Sequence, residues 1–473
     1  MNTTTALLDH QHAPVRKLLP LRVGALFMEM GTGKTRVVIE LAQQRQTRIS
    51  NVVYFCPVSL KETVRQELTR HTDLTAADIC VFDDRTSARR LPAAFWYIIG
   101  IESMSSSNRV VLAANAVIDD RSMVVVDESG YIKGHKATRT QRITRLAERA
   151  RYRLVMTGTP LSQGVVDLYA QLRFLSWRIL GYKSFYSFAR NHLEYSERYP
   201  GMIVAAHNTD YLASKIQPYS YQVTKAECMT LPAKTYATRW YSMTDRQRAV
   251  YEQAKQEILM SLELGDELDS YVIFRLFTAL QQITCGYWNR RDEGGQVETV
   301  TFVHRRLEVF DATIAQVPPD AKVVIWSKFR RNIDEIVARL SAEHGPACVA
   351  QFHGGLSERE RNAEVTRFRQ DARFLVATQA TGGHGLTLNE ARYHVFYSNG
   401  FKYAERVQAE DRSHRIGQTG TVHYIDLVCN QSIDERIDKA LAEKADVLWQ
   451  FRRQVEAVKD KRSAEVRKLV QGL

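Results

Sequence analysis

Residues 28–35, which read Met-Glu-Met-Gly-Thr-Gly-Lys-Thr, decide the fold of the amino-terminal half of the chain. This glycine turn follows a short apolar run, 24–28, and precedes a segment with helical spacing, 36–42, so it joins a strand to a helix. Its glycines let the backbone fold tightly around phosphate oxygens, and the amino end of the helix adds positive potential. The pattern predicts that Lys34 reaches the terminal phosphates of a nucleotide.

Two acidic residues, Asp127 and Glu128, come directly after another buried-strand signal, 122–126. A carboxylate at such a strand end can hold Mg²⁺ through its water shell, while a neighbouring carboxylate orients or deprotonates an attacking water. We therefore predict that Asp127 serves the metal together with the Thr35 hydroxyl, and that Glu128 serves the water. The strict glycine-rich template is not fully met, because Met28 stands where it asks for glycine.

Buried-strand signals recur in both halves of the chain and indicate two parallel sheets. Each signal is a short run rich in β-branched and aromatic residues that ends in polar residues. The runs are 24–28, 51–56, 95–100, 122–126 and 152–156 in the first half, and 322–327, 373–378, 393–397 and 422–427 in the second. Between about 165 and 314, aromatic-rich helical stretches dominate, and 289–296 is predicted to be an exposed loop. The predicted fold class is α/β, with two tandem parallel-sheet lobes and helical insertions between them.

A second phosphate-handling stretch, residues 408–418, reads Gln-Ala-Glu-Asp-Arg-Ser-His-Arg-Ile-Gly-Gln. Arg412 and Arg415 are three positions apart, so a helix would direct both side chains the same way. Guanidinium groups placed in this way can stabilise the charge that accumulates on a transferring γ-phosphate. We predict that these arginines close on the nucleotide that the glycine turn holds, and that His414 between them is structural.

Charge and cysteine content limit the classes of function. The net charge of +12 over 473 residues favours a polyanionic partner without naming it. The cysteines are scattered singly, which argues against a zinc site and against a disulfide framework. We see no apolar run near the roughly 18 residues of a membrane span and no secretory signal, so we expect a cytoplasmic protein that does not cross a membrane. The basic stretch 450–473 predicts a solvated helix face, with DNA contact as the alternative.

These motifs, in this order, resemble those of superfamily-two helicases, and in detail those of the Swi/Snf-type double-stranded-DNA translocases. The stretches that carry the resemblance span nearly the whole chain and are 8–11, 31–35, 56–60, 127–133, 157–161, 225–234, 243–247, 325–329, 378–389 and 408–418. In that family, glycine is not required at position 28. The turn 400–403 departs from the Trp-Asn-Pro-like sequence that the family usually shows there.

The resemblance implies two RecA-like lobes that use ATP and Mg²⁺. The first, 1–230, would bind ATP and contain a helical insertion at about 165–220; the second, 231–473, would follow a helical insertion at about 240–300 and end in a basic helical tail. The implied catalytic residues are Lys34, Asp127, Glu128, Arg412 and Arg415, with Thr35 and Asp127 at the metal. The implied nucleotide-binding residues are Gln11 as the adenine-recognising glutamine, Met30, Gly31, Thr32, Gly33, Lys34, Thr35, Gly383 and Gly385. The implied DNA contacts are Ser59, Lys61, Thr159, Lys328, Thr378 and Thr381, and the implied coupling residues are Thr157, Gly158 and Gln408.

The activity that the resemblance implies is a DNA-stimulated ATPase that moves along double-stranded or branched DNA by gripping backbone phosphates without reading sequence. The compact chain looks more like bacterial or phage-encoded members, which work in the bacterial cytoplasm or an infected host cell, than like chromatin remodellers. Two alternatives remain open. One is a helicase that separates strands or migrates branches on forked or four-way DNA. The other is an ATP-gated remodeller of a protein partner such as RNA polymerase.

Overall fold

A computed structural model describes residues 1–158, 164–196, 203–263, 270–291, 296–382, 386–448, 450–451, 454 and 468–473. The chain forms two compact units, Met1–Leu231 and Pro232–Leu473. Each unit contains a parallel sheet of its own, with helices between most successive strands. The predicted α/β fold class with two tandem parallel-sheet lobes is confirmed.

The amino-terminal unit alternates strands and helices along most of its length. Its strands are β1 (Val23–Met28), β2 (Asn51–Cys56), β3 (Ile79–Val81), β4 (Trp96–Gly100), β5 (Ser122–Val126), β6 (Tyr152–Met156), β7 (Leu193–Tyr195), β8 (Ile203–Ala206) and β9 (Ser220–Val223). Its helices are α1 (Asp9–Leu18), α2 (Lys34–Arg45), α3 (Lys61–His71), α4 (Ser103–Ser106), α5 (Asn108–Val117), α6 (Thr138–Ala147), α7 (Val166–Leu175), α8 (Trp177–Leu180), α9 (Phe185–His192), α10 (Thr209–Ile216) and α11 (Lys225–Cys228).

The main sheet of this unit has the strand order β3-β4-β2-β5-β6-β1-β9, and its neighbouring strands are parallel. Strand β2 is buried along its whole length because helices cover both faces of the sheet. Alternate residues enter separate apolar clusters: Val53 and Phe55 pack on one side, and Val52, Tyr54 and Cys56 on the other. The ends of β5, β6 and β1 lie side by side, which places their following loops together.

The carboxy-terminal unit begins with a strand and then a helical pair. Its strands are β10 (Lys234–Tyr241), β11 (Tyr287–Arg291), β12 (Val297–Thr301), β13 (Lys322–Ser327), β14 (Val349–Phe352), β15 (Phe374–Thr378), β16 (Ala391–Phe396) and β17 (Val422–Cys429). Its helices are α12 (Asp245–Glu263), α13 (Ser270–Thr284), α14 (Arg306–Ala315), α15 (Arg330–His344), α16 (Glu358–Gln370), α17 (Gln379–Gly382), α18 (Tyr403–Glu410) and α19 (Ile433–Ala442). The main sheet has the order β10-β17-β16-β13-β15-β14 and is again parallel.

The predicted helical region between 165 and 314 also contains strands, so that prediction was incomplete. Helices α7 to α10 and α12 to α14 lie there, but β7 pairs with β8 and β11 pairs with β12 as antiparallel hairpins, while β9 and β10 extend the main sheets. The predicted loop 289–296 was wrong at its start, because Asn289 lies in β11 opposite Thr299. The Thr299 hydroxyl donates to Asn289 Oδ1 at 2.8 Å, so polar side chains stabilise a hairpin that has no apolar run to signal it.

The remaining bulk features concern membranes and cysteines. Among the residues that the structure describes, no helix combines the length and the apolar character that crossing a bilayer requires. All six cysteines are free thiols. Burial raises the pKa of Cys56 and of Cys285, as expected for thiols that serve as packing residues.

Candidate nucleotide site and nucleic-acid contacts

The glycine turn connects β1 to α2 and depends on left-handed backbone at Gly31 (φ 78°) and Gly33 (φ 80°). Glycine adopts such angles without the steric cost that a Cβ would bring. Gly33 is the residue that precedes α2, so the first N–H groups of this helix have no partner within the helix. Thr32 is fully buried, and its Oγ1 donates to the Glu29 carbonyl at 2.7 Å. The loop is therefore shaped to present backbone N–H groups to an anion.

Lys34 is buried and curls back over the glycine turn. Its Nζ donates to the Met28 carbonyl at 3.0 Å and contacts the Glu29 carbonyl at 3.5 Å. These carbonyls keep the ammonium inside the turn, where phosphate oxygens could replace them as acceptors.

Helix α1 packs against the same turn through Gln11, the predicted adenine-recognising residue. The buried Gln11 amide donates from Nε2 to the Thr32 and Gly33 carbonyls at 3.3 and 3.4 Å, while Oε1 accepts from the Leu8 N–H at 3.0 Å. His10 Nε2 also contacts the Thr32 carbonyl, at 2.8 Å. The structure thus brings Gln11 to the phosphate loop, and its role toward adenine stays a prediction.

Asp127 and Glu128 follow β5 directly, at the sheet edge that also carries the glycine turn. The buried Asp127 carboxylate accepts at Oδ2 from the Tyr54 hydroxyl at 3.0 Å and at Oδ1 from the Glu128 N–H at 2.9 Å. Glu128 has a left-handed backbone (φ 47°), which is uncommon for a residue with a side chain. Such strain is often found where a functional side chain must be aimed.

The electrostatics of this strand end fit a divalent cation. Burial raises the pKa of Asp127 well above its usual range, and the Glu128 carboxylate adds to the rise while the Lys34 ammonium opposes it. Burial also raises the pKa of Tyr54 far above its ordinary value, so its hydroxyl stays protonated and donates to Asp127. A cation would favour the ionised carboxylate, and the Asp127 carboxylate and Thr35 hydroxyl are the hard oxygen ligands that Mg²⁺ prefers.

Thr157 and Gly158 follow β6, which lies between β5 and β1. The buried Thr157 donates its N–H to the Leu26 carbonyl at 3.1 Å. A Cβ added to Gly158 would lie 3.1 Å from the Met30 backbone nitrogen, so the two loops pass very close to each other. Thr159, the predicted DNA contact of this segment, lies outside the described residues. The structure brings Thr157 and Gly158 to the glycine turn, and their coupling role stays a prediction.

Sequence reasoning missed the contacts that anchor the loop after Glu128. The buried Ser129 hydroxyl donates to Gln171 Oε1 at 2.5 Å, and Lys133 Nζ lies 3.6 Å from Asp167 Oδ2. Gln171 and Asp167 are buried polar residues of α7. Polar residues on the buried side of an amphipathic helix were the only available signal, and that signal does not name a partner.

In the carboxy-terminal unit, the predicted helix over Arg412 and Arg415 is wrong. Helix α18 ends at Glu410, and both arginines lie in the arginine turn, residues 411–418. The Arg412 carbonyl accepts from the Leu388 N–H at 2.8 Å, so it is not available to a continuing helix. Both guanidinium groups nevertheless bond to the same short segment: Arg412 Nη1 donates to the Leu386 carbonyl at 3.3 Å and Arg415 Nη1 to Thr387 Oγ1 at 2.9 Å.

The arginine turn is held against β10 by a network centred on Glu410. Glu410 Oε2 accepts from Lys234 Nζ at 3.0 Å and from the Tyr236 hydroxyl at 2.8 Å, and Oε1 accepts from Arg406 Nε at 2.8 Å. Burial alone would raise the pKa of Glu410, but the positive charges of Arg406 and Lys234 outweigh it and hold that pKa below its usual range. Arg406 also pairs with the buried Asp426. The first strand of the unit is thus tied to the segment that carries the arginines.

Two further contacts complete this support. His414, predicted to be structural, contacts the Pro232 carbonyl through Nε2 at 2.9 Å. Gln408, a predicted coupling residue, is buried on α18, and its carbonyl accepts from Arg412 Nε at 2.9 Å. Gln408 therefore contacts the arginine itself.

The departing turn at 400–403 is well packed. Phe401 is buried against Phe274 and Phe277, with ring centroids 6.0 and 5.9 Å apart. The Tyr403 N–H at the start of α18 donates to Asp446 Oδ1 at 2.8 Å. Proline, which the family usually shows in this turn, has no N–H to donate. Here the bond from the Tyr403 N–H to Asp446 fixes the start of the helix instead.

The predicted DNA contacts are only partly accessible. Lys61 Nζ donates to the Phe82 carbonyl at 3.0 Å, and Lys328 Nζ donates to Gln281 Oε1 at 3.0 Å beneath the Phe401 ring. Ser59 and Thr381 are half-buried. The Thr378 hydroxyl at the end of β15 is buried without a hydrogen-bond partner among the residues that the structure describes. Gly383 and Gly385 lie outside the described residues, as does most of the basic stretch 450–473.

Two family models match the chain: the SNF2-related domain over residues 14–287 and the helicase conserved C-terminal domain over residues 305–417. Among curated relatives, the DNA annealing helicase and endonuclease ZRANB3 of Homo sapiens is 24% identical over 94% of this chain and 41% of its own length. The chromodomain-helicase-DNA-binding protein 1-like of Danio rerio is 24% identical over 86% of this chain and 40% of its own length. The uncharacterized ATP-dependent helicase MG018 of Mycoplasma genitalium is 23% identical over 69% of this chain and 30% of its own length.

The chain therefore spans less than half the length of these curated relatives. Among solved structures, the Sulfolobus solfataricus SWI2/SNF2 ATPase core in complex with dsDNA matches with 21% identity and a TM-score of 0.44, over 99% of this chain and 97% of that chain. The SNF2-related domain model matches more than half of the residues of this chain, which therefore belongs to the SNF2-related family.

Proposed function

We propose that this protein is an ATP-dependent DNA translocase of the Swi/Snf type, which couples ATP hydrolysis to movement along DNA without reading its sequence. The single observation that carries the proposal is the grouping of the glycine turn, Asp127, Glu128 and Thr157 at neighbouring strand ends of one sheet, in a chain of the SNF2-related family. The carboxy-terminal unit carries Arg412 and Arg415, whose guanidinium groups bond to the adjacent residues Leu386 and Thr387. Such an activity belongs where DNA is handled, in a bacterial cytoplasm or a phage-infected host cell.

In this proposal residues 1–230 form the ATP-binding lobe. The N–H groups of the glycine turn and the Lys34 ammonium bind the nucleotide phosphates, with Lys34 exchanging the Met28 and Glu29 carbonyls for phosphate oxygens. Thr35 and Asp127 hold Mg²⁺, which neutralises phosphate charge when bound. Glu128 accepts a proton from the water that attacks the γ-phosphorus as the bond to the leaving ADP oxygen breaks.

Residues 231–473 form the helicase lobe, and we assign to its arginine turn the stabilisation of charge on the γ-phosphate of the same nucleotide. Arg415 is the better candidate for direct contact with the γ-phosphate, because it is half-buried and is held by the Thr387 hydroxyl. Arg412 is buried and donates to the Leu386 and Gln408 carbonyls, so it also shapes the turn. Gly383 and Gly385 stay proposed nucleotide contacts of this lobe.

DNA would be bound through its phosphates by residues from both lobes. The net charge of +12 supports a polyanionic partner. The Thr378 hydroxyl, which has no hydrogen-bond partner among the described residues, supports a ligand at the end of β15, where a phosphate oxygen would accept its hydrogen bond. Ser59, Lys61, Thr159, Lys328 and Thr381 stay proposed contacts, and for Lys61 and Lys328 this requires the ammonium group to leave its present acceptor.

A second candidate function is the remodelling of branched DNA. Similarity along 94% of this chain to a protein named a DNA annealing helicase favours it over displacement of a protein partner. Displacement of a DNA third strand from intact duplex would indicate translocation, whereas unwinding of forks or four-way junctions would indicate strand separation or branch migration.

ATP hydrolysis measured with duplex, single-stranded, forked and four-way DNA tests the proposal. We expect strong stimulation by DNA, and a fall to background in Lys34→Ala, Glu128→Gln and Arg415→Ala. Affinity for DNA should fall by about tenfold or more between roughly 50 and 200 mM salt, since several phosphates are neutralised. A rate that DNA does not change, or that all three substitutions leave intact, would overturn the proposal.

A further inference from the structure

The Tyr54 hydroxyl is a polar group in the middle of a buried strand. Its neighbours on the same side of β2, Val52 and Cys56, are apolar, and the strand is buried at every position. A buried phenol needs a hydrogen-bond partner, since an unsatisfied hydroxyl costs free energy in an apolar environment. The partner of Tyr54 is Asp127 Oδ2, at 3.0 Å.

The hydrogen bond to Asp127 ties Tyr54 to a predicted metal ligand that comes from another element of the fold. Asp127 follows β5 directly, whereas Tyr54 lies in the neighbouring strand β2. Strands β2 and β5 hold this hydrogen bond in register, because Tyr54 lies beside Val125 and the Asp127 N–H donates to the Phe55 carbonyl at 2.8 Å.

We propose that Tyr54 is a positioning residue for the magnesium site: its hydroxyl fixes the Asp127 carboxylate in the orientation that binds the metal. This inference rests on the proposed function and adds a residue to it. Outer-shell hydrogen bonds that orient metal ligands commonly contribute 10- to 100-fold to metal affinity or activity. The Glu128 N–H holds the other Asp127 oxygen at 2.9 Å, so neither oxygen can rotate freely, and each keeps a lone pair for a cation.

A packing role is the competing explanation, because the Tyr54 ring lies 6.1 Å from the Trp96 ring, centroid to centroid. Tyr54→Phe keeps that ring contact and removes only the hydroxyl. The Tyr97→Phe variant is the matched control. Tyr97 is also buried, on the adjacent β4, and its hydroxyl donates to the Pro92 carbonyl at 3.0 Å, away from both metal ligands.

The experiment measures equilibrium binding of fluorescently labelled ADP to the full chain, in EDTA and over a Mg²⁺ titration. In EDTA, we expect wild type, Tyr54→Phe and Tyr97→Phe to bind within about twofold of each other. The Mg²⁺ concentration that gives half of the gain in affinity should rise about 10- to 100-fold in Tyr54→Phe alone. Equal Mg²⁺ midpoints in wild type and Tyr54→Phe would overturn the inference.

Thermal melting checks that each variant is folded. If phenylalanine is not tolerated, Tyr54→Met fills similar volume without a donor and is read out in the same way. If neither variant folds, the hydroxyl is a requirement of the fold and the positioning role is rejected. Failure of wild type to bind ADP, or to bind it more tightly with Mg²⁺, would instead refute the proposed function, so the two failures are distinguishable.

Discussion

The glycine turn of the amino-terminal unit and the arginine turn of the carboxy-terminal unit are proposed to handle the same nucleotide, but they are built by different means. Left-handed glycines and a helix amino terminus shape the first, so backbone N–H groups supply most of its capacity to bind an anion. Side-chain charges support the second, with Glu410 accepting from Lys234, Tyr236 and Arg406. Backbone donors need side chains kept away, whereas long guanidinium side chains need neighbours to hold them.

The largest expected effect is that of Arg415, whose loss should lower the rate of hydrolysis while leaving nucleotide affinity nearly unchanged. Arg415→Ala should lower kcat for DNA-stimulated ATP hydrolysis by about 10³-fold or more, because charge on the γ-phosphate loses its guanidinium partner. Nucleotide affinity should change little, since the glycine turn holds the other phosphates. Steady-state ATPase assays combined with equilibrium nucleotide binding measure both quantities.

Lys34→Ala is the counterpart in the other turn, and it should lower affinity and rate together. Arg415→Lys should not restore the rate, because an ammonium lacks the planar fork of a guanidinium. If Lys34→Ala and Arg415→Ala weaken nucleotide binding equally, the division of roles between the turns is wrong.

Backbone shape should matter most in the glycine turn. Gly33→Ala places a Cβ on a left-handed residue and against Gln11 Nε2, so the loop must move. We expect about 10-fold weaker nucleotide binding, from a conformational cost of about 1–2 kcal/mol, together with a lower melting temperature.

Gly130→Ala is the matched control. It lies near Glu128 in the same unit, yet an added Cβ would meet nothing within 4 Å. Nucleotide binding by Gly130→Ala should equal that of wild type. A similar loss in both variants would show that the open backbone of Gly33 has no special role.

Acid should destabilise the support of the arginine turn. His394 Nδ1 accepts from Trp326 Nε1 at 3.0 Å, so Nε2 carries the proton in its 2.8 Å contact with Ser413 Oγ. Burial lowers the pKa of His394 to about 3. The folded pKa lies below the unfolded one, so the stability it confers is present above about pH 6.5 and is lost as the pH falls toward 3. Between pH 8 and pH 5 this amounts to about 2 kcal/mol.

Denaturant unfolding followed at several pH values measures this dependence. His394→Gln can accept from Trp326 and donate to Ser413 without titrating, so its stability should fall less steeply with acid. Parallel pH profiles for the variant and wild type would show that His394 does not cause the loss. Near the glycine turn, burial has the opposite effect on a pKa: it raises that of the Asp127 carboxyl, whereas it lowers that of His394.

The smallest effect should come from single donors to Glu410. Tyr236→Phe removes one of three hydrogen bonds to that carboxylate, and Tyr236 is 58% exposed, so water replaces part of the loss. We expect kcat to fall about 2- to 5-fold with nucleotide affinity unchanged, and Lys234→Met to have a larger effect because it also removes a charge. Tyr393→Phe on β16 is the control. No change in kcat for Lys234→Met would show that β10 does not support the arginine turn.

Much of the fold could be predicted from the sequence, because buried parallel strands are continuous apolar runs. Strands β2, β5, β6 and β13 have the predicted bounds. Strands β10 and β11 were missed, since β10 mixes charged and aromatic residues at a sheet edge and β11 is a polar hairpin strand. Edge and hairpin strands are not buried on both faces, so they lack the pattern that marks central ones.

The candidate site was predictable where chemistry depends on local sequence. The left-handed glycines and the paired Asp127 and Glu128 follow from spacing alone. Tyr54 and Glu410 could not be found in this way, because their partners lie 73 and 176 positions away in the chain. The helix predicted over Arg412 failed for a similar reason, since a distant N–H from Leu388 captures the carbonyl that would continue it.

The central claim is that one nucleotide is bound by the glycine turn and sensed by the arginine turn. A crystal structure of the full chain with duplex DNA, ADP, Mg²⁺ and aluminium fluoride, which mimics the transferring phosphoryl group, tests it most directly. We expect Lys34 and the Arg415 guanidinium within hydrogen-bond distance of the same fluoride. A fluoride bound by Lys34 with both Arg412 and Arg415 turned away from it would contradict the claim.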